Sequence, residues 1–200
     1  SVNMIDNVML GRLSQEALSG AATVNQIFFM VDQFALSIGN TLVAIASQYW
    51  GQKKIQPIRT LTGIALKLGI IVSLVIIAIC GIFPEQVLRI FTTSPEIIAE
   101  GRSYLMIVMW TFALFIISNI LMAALRAVGT VRIAFYTSIV SLCINAFGNY
   151  VLIYGKMGFP QLGIRGASIS TLVARIVELL IVIIYIAKAD KKLNLFHKDL

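Results

Sequence analysis

Asp6, Asn145 and Asn149 are polar side chains in apolar surroundings, and together they could hold a small cation. Asn145 and Asn149 are four residues apart, so they share one face of a helix. Asp6 lies five residues before Gly11 and Asn149 six before Gly155, which places them roughly 8 Å and 9 Å below the ends of their helices. One carboxylate with amide oxygens suits a proton or a weakly held Na⁺ better than Ca²⁺. The same spacing also fits asparagines that hydrogen-bond between helices, and it leaves both interpretations open.

Four further charged side chains lie within apolar stretches, where a charge is costly and therefore a candidate for function: Asp32, Lys67, Arg175 and Glu178. Arg175 and Glu178 are three residues apart on one predicted helix, so their side chains can meet. We favour a self-neutralising pair that sets helix packing over a role in transport. Asp32 could face a cavity, or it could pair with Lys67 or Arg175, and the sequence leaves this open.

The composition shows what kind of elements must position these groups. Hydrophobic residues make up 58% of the 200, charged residues 12%, and the mean hydropathy is +0.90. Soluble domains average about 45–50% apolar and about 25% charged residues. This chain has too little polar surface to coat a water-soluble globule. It is therefore an integral membrane protein, and soluble enzyme classes are excluded.

The apolar runs predict an all-α bundle of six transmembrane helices that occupies residues 1–200. The expected spans are 1–10, 17–49, 60–83, 96–125, 133–155 and 166–187. The first span resembles the second half of a helix, so we expect a fragment whose first helix lacks its beginning. The prolines fall at the ends of spans or between them, where a helix loses no internal hydrogen bond. Residues 85–93, between two prolines, are expected to form a short amphipathic helix at the membrane surface.

The distribution of Lys and Arg predicts the orientation of the bundle. Nine basic residues fall on one side: Lys53, Lys54, Arg59, Arg126, Arg132, Lys188, Lys191, Lys192 and Lys198. Five fall on the other: Arg12, Arg89, Arg102, Lys156 and Arg165. The larger group places the C-terminal tail in the cytoplasm, and it accounts for the net charge of +7 without a nucleic-acid partner. We expect a multi-pass protein of the inner (cytoplasmic) membrane.

Cysteine and histidine usage gives no sign of a cofactor. Cys80 and Cys143 both lie in apolar runs and are expected to behave as small buried hydrophobes. His197 is the one histidine, and it cannot form a metal centre alone. We expect no metal site beyond a possible Na⁺.

Five stretches follow one another in a recognisable order: MIDNVMLGRL at 4–13, ASQYWGQ at 46–52, ALRAVGTVR at 124–132, NAFGNYVLIYG at 145–155 and LGIRGAS at 162–168. Together they resemble the multidrug and toxic compound extrusion (MATE) family over nearly the whole chain. The resemblance implies a transporter of twelve helices in two six-helix lobes. This chain then corresponds to the N-terminal lobe, and the second, C-terminal lobe is missing.

The resemblance also implies a function and a site. Family members export amphipathic organic cations in exchange for H⁺ or Na⁺ by alternating access, without enzymatic chemistry. In the family, a first-helix Asp and polar residues of the fifth helix bind the coupling cation. This carries that role to Asp6, Asn145 and Asn149, and to Thr171 on the sixth helix. Many members have a second carboxylate where Asn149 stands, so the identity of the coupling ion stays open.

The sequence leaves three alternatives to this function. A lipid-linked oligosaccharide flippase shares the lobe architecture, but it needs a cationic cavity for a pyrophosphate headgroup, for which Lys67 and Arg175 are the candidates. A membrane transferase needs paired carboxylates in a loop, whereas Glu16, Glu85, Glu96 and Glu100 are scattered. A non-transporting scaffold is the third alternative for half of a transporter.

Overall fold

The computed structural model describes residues 2–188 and residue 193, and over these residues the chain folds into α-helices without strands. The helices are α1 (Val2–Gly11), α2 (Gln15–Gly51), α3 (Ile55–Ile82), α4 (Pro84–Arg89), α5 (Pro95–Ala127), α6 (Arg132–Tyr154) and α7 (Ile164–Lys188). Five of them, α2, α3, α5, α6 and α7, are long and apolar enough to cross a membrane. The predicted all-helical membrane fold is confirmed. Lys191, Lys192, His197 and Lys198 lie outside the described residues.

Local sequence sets where the helices begin and end. The Ser14 hydroxyl accepts a hydrogen bond of 3.0 Å from the backbone nitrogen of Ala17 and so caps α2. Pro84 and Pro95 occupy the first turns of α4 and α5, where no backbone donor is needed. Gly155 ends α6 with a left-handed φ of 64°, which a residue with a side chain rarely adopts. A short helix was expected over residues 85–93, and α4 begins one residue earlier, at Pro84, and ends at Arg89.

The helices extend beyond the spans expected from apolar content. Helix α3 begins at Ile55 rather than at residue 60, and α2 ends at Gly51 rather than at residue 49. The polar residues in these extra turns continue the backbone hydrogen bonding, because caps and glycines, not hydropathy, end a helix. Polar turns of this kind suit the ends of a transmembrane helix, which reach water.

Helix α5 is at the centre of the bundle. It packs against α2, α3 and α7, while α6 packs against α7 and α1. The crossing of α2 and α5 is tight at Gly20, where a Cβ would lie 2.8 Å from the backbone nitrogen of Gly101. The loops around Gly11, Phe83 and Gly155 meet at one end of the bundle, here called the Gly11 end, and the loops around Gly51 and Val128 lie at the opposite end.

Helix α6 is polar on the inside and apolar on the outside. A stripe of four residues at every fourth position is buried: Thr137, Ser141, Asn145 and Asn149. The opposite face exposes Phe135, Tyr136, Ile139 and Phe147. In water this arrangement would be reversed, whereas hydrocarbon solvates the apolar face and forces polar groups to find partners within the bundle. Two members of the stripe, Asn145 and Asn149, contact the groups that form the candidate site.

Candidate functional site

The Asp6 carboxylate is fully buried between α1, α5, α6 and α7 and accepts three hydrogen bonds. The Asn149 amide nitrogen donates to Oδ1 at 2.6 Å. The hydroxyls of Thr171 and Tyr104 donate to Oδ2 at 2.9 Å and 3.3 Å. No Lys, Arg or His side chain of the described residues lies within ion-pair distance of Asp6. A buried carboxylate is thus held by neutral donors alone.

A second layer of hydrogen bonds links these donors to one another. Asn145 donates from its amide nitrogen to the Thr171 hydroxyl at 3.1 Å and accepts from Asn149 at 3.4 Å. The Asn149 side-chain oxygen is buried and has no hydrogen-bond partner. We call Asp6, Tyr104, Asn145, Asn149 and Thr171 the Asp6 cluster. It is a connected network with one unused acceptor beside its single charge.

Two close contacts bring α6 and α7 near enough for both to reach Asp6. A Cβ at Gly148 would lie 2.7 Å from the Ser170 hydroxyl oxygen. A Cβ at Gly166 would lie 2.7 Å from the backbone carbonyl of Leu152. Gly148 is next to Asn149 in the sequence, and Leu152, which Gly166 contacts, is one turn from Asn149. A larger residue at either glycine would therefore separate the two helices that carry the asparagines and Thr171.

Polar contacts also fix α1, the helix that carries Asp6. The Tyr154 hydroxyl on α6 donates to the backbone oxygen of Met9 at 2.9 Å. The Asn25 amide on α2 donates to the Asn7 side-chain oxygen at 3.1 Å. Asn7, which lies next to Asp6 in the sequence, therefore ties α1 to α2 and does not join the Asp6 cluster.

Tyr104 is the member of the cluster that the sequence analysis missed. It is 98 residues away from Asp6 along the chain. A lone tyrosine in an apolar helix is ordinarily a packing residue, so its type carried no functional information. The structure buries Tyr104 to 1% exposure, and a buried tyrosine hydroxyl usually finds a partner, which here is Asp6.

The other charged groups form a separate arrangement nearer the middle of the helices. Arg175 and Glu178 are paired on α7, with 2.8 Å between Nη1 and Oε2. The Arg175 guanidinium also lies 4.8 Å from the centre of the Phe115 ring. Asp32 is half-buried and interacts electrostatically with Arg175 at a distance, but it forms no ion pair with Arg175 or Lys67. Lys67 is exposed on α3.

A match to a family model shows to which protein family the chain belongs. The MatE model matches residues 1–151, three quarters of the sequence and the part that carries Asp6, Tyr104 and both asparagines. The chain belongs to the MatE family. The resemblance predicted from the five sequence stretches is confirmed.

Curated relatives agree with membership in the MatE family. The chain is 27% identical over 192 residues to the probable multidrug resistance protein YoeA of Bacillus subtilis, covering 96% of this chain and 42% of the relative. It is 30% identical over 175 residues to the probable multidrug resistance protein NorM of Rhizobium meliloti, covering 86% and 37%. The chain therefore spans less than half the length of these relatives.

Solved structures share the fold of this MatE chain. A structure described as the inward-facing conformation of a multidrug resistance MATE family transporter matches with a TM-score of 0.88 at 18% identity, covering 99% of this chain and 45% of that one. The outward-facing conformation of such a transporter matches with a TM-score of 0.85 at 17% identity, covering 96% and 42%. The kinship is with membrane transporters, not with enzymes.

The Asp6 cluster of this MatE chain has the chemistry to bind one monovalent cation. A proton on Asp6 neutralises the carboxylate and creates an O–H donor, for which the Asn149 oxygen is an unused acceptor. A sodium ion would find oxygen atoms on Asp6, Asn145, Asn149, Thr171 and Tyr104. In the described part of the chain, no three His, Cys, Asp or Glu side chains come together in a group that could hold a metal ion.

Proposed function

We propose that this chain is one lobe of a cation-coupled exporter of amphipathic organic cations. The observation that carries the proposal is the Asp6 carboxylate, which is fully buried and held by neutral donors only. A carboxylate in this position makes its surroundings sensitive to whether a cation is bound, because binding removes the only charge of the cluster. The family membership supports transport as the process that uses this sensitivity.

The proposed cycle is a shift of population between two conformations that open to opposite sides of the membrane. A proton or Na⁺ neutralises Asp6, which removes the cost of desolvating the carboxylate and lets α1, α5, α6 and α7 repack around it. The substrate leaves outward as the cation moves inward. The membrane potential adds about 2.3 kcal/mol per charge per 100 mV to this exchange.

The proposed orientation places the Gly11 end of the bundle outside the cell. Arg12, Arg89, Arg102, Lys156 and Arg165 would then lie outside, and the more numerous basic residues of the opposite end would lie inside. The C-terminal tail is accordingly proposed to be cytoplasmic, in a protein of the inner membrane. The substrate cavity is proposed to form between this lobe and a second, C-terminal lobe.

The flippase alternative receives less support. A pyrophosphate headgroup needs cations that are free to face it, but Arg175 is paired with Glu178 and packs on the Phe115 ring. Lys67 is exposed on a face of α3 that is lined with isoleucine and leucine.

Replacing Asp6 tests the proposal in the full-length transporter reconstituted in liposomes. Asp6→Asn is nearly isosteric and removes a buried charge, so we expect normal folding and substrate binding but loss of dye efflux driven by H⁺ and Na⁺ gradients. Asn149→Asp, added to Asp6→Asn, restores a carboxylate at a similar depth and is expected to recover part of the efflux. Asn7→Asp serves as a control, since it places a carboxylate on α1 outside the cluster and should give no recovery. Coupled efflux at the wild-type rate from well-folded Asp6→Asn would remove Asp6 from the mechanism.

A further inference from the structure

A cavity of about 400 Å³ lies at the Gly11 end of the bundle, between the α1–α2 turn, α5 and the start of α7. Ser14, Glu100, Ser103, Gln161 and Arg165 contribute its polar lining. Helices α1, α5 and α7 also supply three members of the Asp6 cluster. The cavity thus lies at the ends of the same three helices that surround the buried carboxylate.

Helix α5 connects the cavity to the Asp6 cluster. Ser103 lines the cavity, and its neighbour Tyr104 donates a hydrogen bond to Asp6. Glu100 lies four residues before Tyr104, so the two side chains share one face of α5 about 6 Å apart along the helix axis. Tyr104 does not line the cavity itself, but it lies next to Ser103 and one turn from Glu100, and it contacts the Asp6 carboxylate.

Some charged side chains around the cavity have an ion-pair partner and others do not. Glu100 is the one carboxylate among the described residues that line it, and it forms no ion pair or hydrogen bond with another described residue. Arg165 faces the same cavity, also without an ion pair in the described part of the chain. Arg102, on a neighbouring wall, is paired with Glu85 at 2.9 Å. Glu100 and Arg165 are thus the charged residues that line the cavity without an ion pair in the described part of the chain.

The backbone at Glu100 is fixed by the tight crossing of α2 and α5. A Cβ at Gly20 would lie 2.9 Å from the Glu100 Cβ and 2.8 Å from the Gly101 nitrogen. Because α2 passes so close, the start of the Glu100 side chain has little room to shift. Packing thus fixes the Cβ of Glu100 beside the cavity, and the carboxylate has no salt bridge with another described residue.

We propose that this cavity is the entrance through which the coupling cation reaches Asp6, and that Glu100 raises the cation concentration at its mouth while Arg165 lowers it. A negative group in a surface cavity attracts cations because the protein walls focus its field. The proposal rests on the proposed cation coupling and extends it to the route of entry. Glu100 is a positioning residue in this scheme, since it does not touch Asp6.

The first test measures how dye efflux by the full-length transporter in liposomes depends on the cation concentration at the Gly11 end. Glu100→Gln is expected to raise the concentration for half-maximal efflux roughly threefold to tenfold, with an unchanged maximal rate. Arg165→Gln is expected to lower it, and Glu100→Asp to stay near the wild type. The shift should shrink at high ionic strength, because salt screens exposed charges. The matched control is Glu96→Gln, the same substitution one turn away on α5 and outside the cavity, which should change nothing.

The second test does not depend on transport. Ser103→Cys, with Cys80→Ala and Cys143→Ala, places a thiol in the cavity of the full-length protein. A positively charged methanethiosulfonate should modify it faster than a negatively charged one, and Glu100→Gln should reduce that preference, whereas Glu96→Gln should not. If wild-type efflux does not respond to the cation gradient, the proposed coupling of efflux to a cation is wrong. If efflux responds to the gradient but Glu100→Gln behaves like Glu96→Gln in both tests, the proposed entrance is wrong and the coupling stands.

Discussion

At the scale of single residues, the Thr171 hydroxyl connects two other members of the Asp6 cluster. Thr171 donates to Asp6 at 2.9 Å and accepts from Asn145 at 3.1 Å. Its loss would leave Asp6 with fewer donors and the Asn145 amide without its partner. A buried polar group that loses its partner costs about 1–3 kcal/mol.

Thr171→Val and Thr171→Ser separate this polar role from packing. Valine has the shape of threonine without the hydroxyl, so we expect Thr171→Val to lower the stability of the full-length protein by about 1–3 kcal/mol. Serine keeps the hydroxyl, and Thr171→Ser should melt near the wild type. Melting temperatures of the purified protein in detergent provide the comparison. Equal melting temperatures for the two variants would mean that the hydroxyl network contributes no stability.

Part of this cluster could be predicted from the sequence. Asp6, Asn145 and Asn149 were found because they are rare polar groups in apolar spans and because their distances from helix ends could be compared. Thr171 came only from the family resemblance, since hydroxyl groups are common in transmembrane helices. Tyr104 was missed because nothing in the sequence indicates which face of α5 turns towards α1. That direction depends on the packing of four helices.

At the scale of helices, the closeness of α6 and α7 depends on small residues. Gly148→Ala would place a methyl group 2.7 Å from the Ser170 hydroxyl, so we expect lower thermal stability and weaker coupled efflux in the full-length protein. Adding Ser170→Gly removes the obstacle and should restore part of both. Gly166→Ala meets the backbone of Leu152, and no change of side chain can relieve that clash.

A control for these variants lies on α3. Gly63 has open space around its missing Cβ, so Gly63→Ala should be neutral or should stabilise by up to about 1 kcal/mol through helix propensity. The readouts are the melting temperature and the rate of gradient-driven efflux. Loss of stability from Gly63→Ala as large as that from Gly148→Ala would show that the clash at Ser170 is not the cause.

The existence of the helices could be predicted from apolar runs, but their ends could not. Hydropathy falls where a helix leaves the bilayer, whereas the helix itself ends at caps such as Ser14 and Gly155. The pairing of Arg175 with Glu178 followed from their spacing on one helix. The surroundings of Asp32 could not be predicted in this way, since they depend on residues of other helices.

At the scale of the whole molecule, the chain covers 42% of YoeA and 37% of the NorM of Rhizobium meliloti. In the proposed function the substrate cavity lies between two lobes, and these residues supply one of them. Residues 1–200 alone, purified and placed in liposomes, are expected to move no dye with or against a cation gradient. Co-reconstitution with the other half of the full-length transporter, expressed separately, should restore efflux. Gradient-driven efflux by residues 1–200 alone would contradict the two-lobe arrangement.

The buried polar stripe of α6 has a consequence for biosynthesis. A membrane protein enters the bilayer helix by helix, and α6 is the least hydropathic of the five candidate spans. When α6 leaves the ribosome, Thr171 has not yet emerged, so the Asn145 amide lacks the α7 hydroxyl that it contacts in the folded bundle. Lipid offers that amide no hydrogen-bond partner. We therefore expect the newly made α6 to stay in the insertion machinery, or at the membrane surface, until α7 follows, so that the two helices enter as a hairpin.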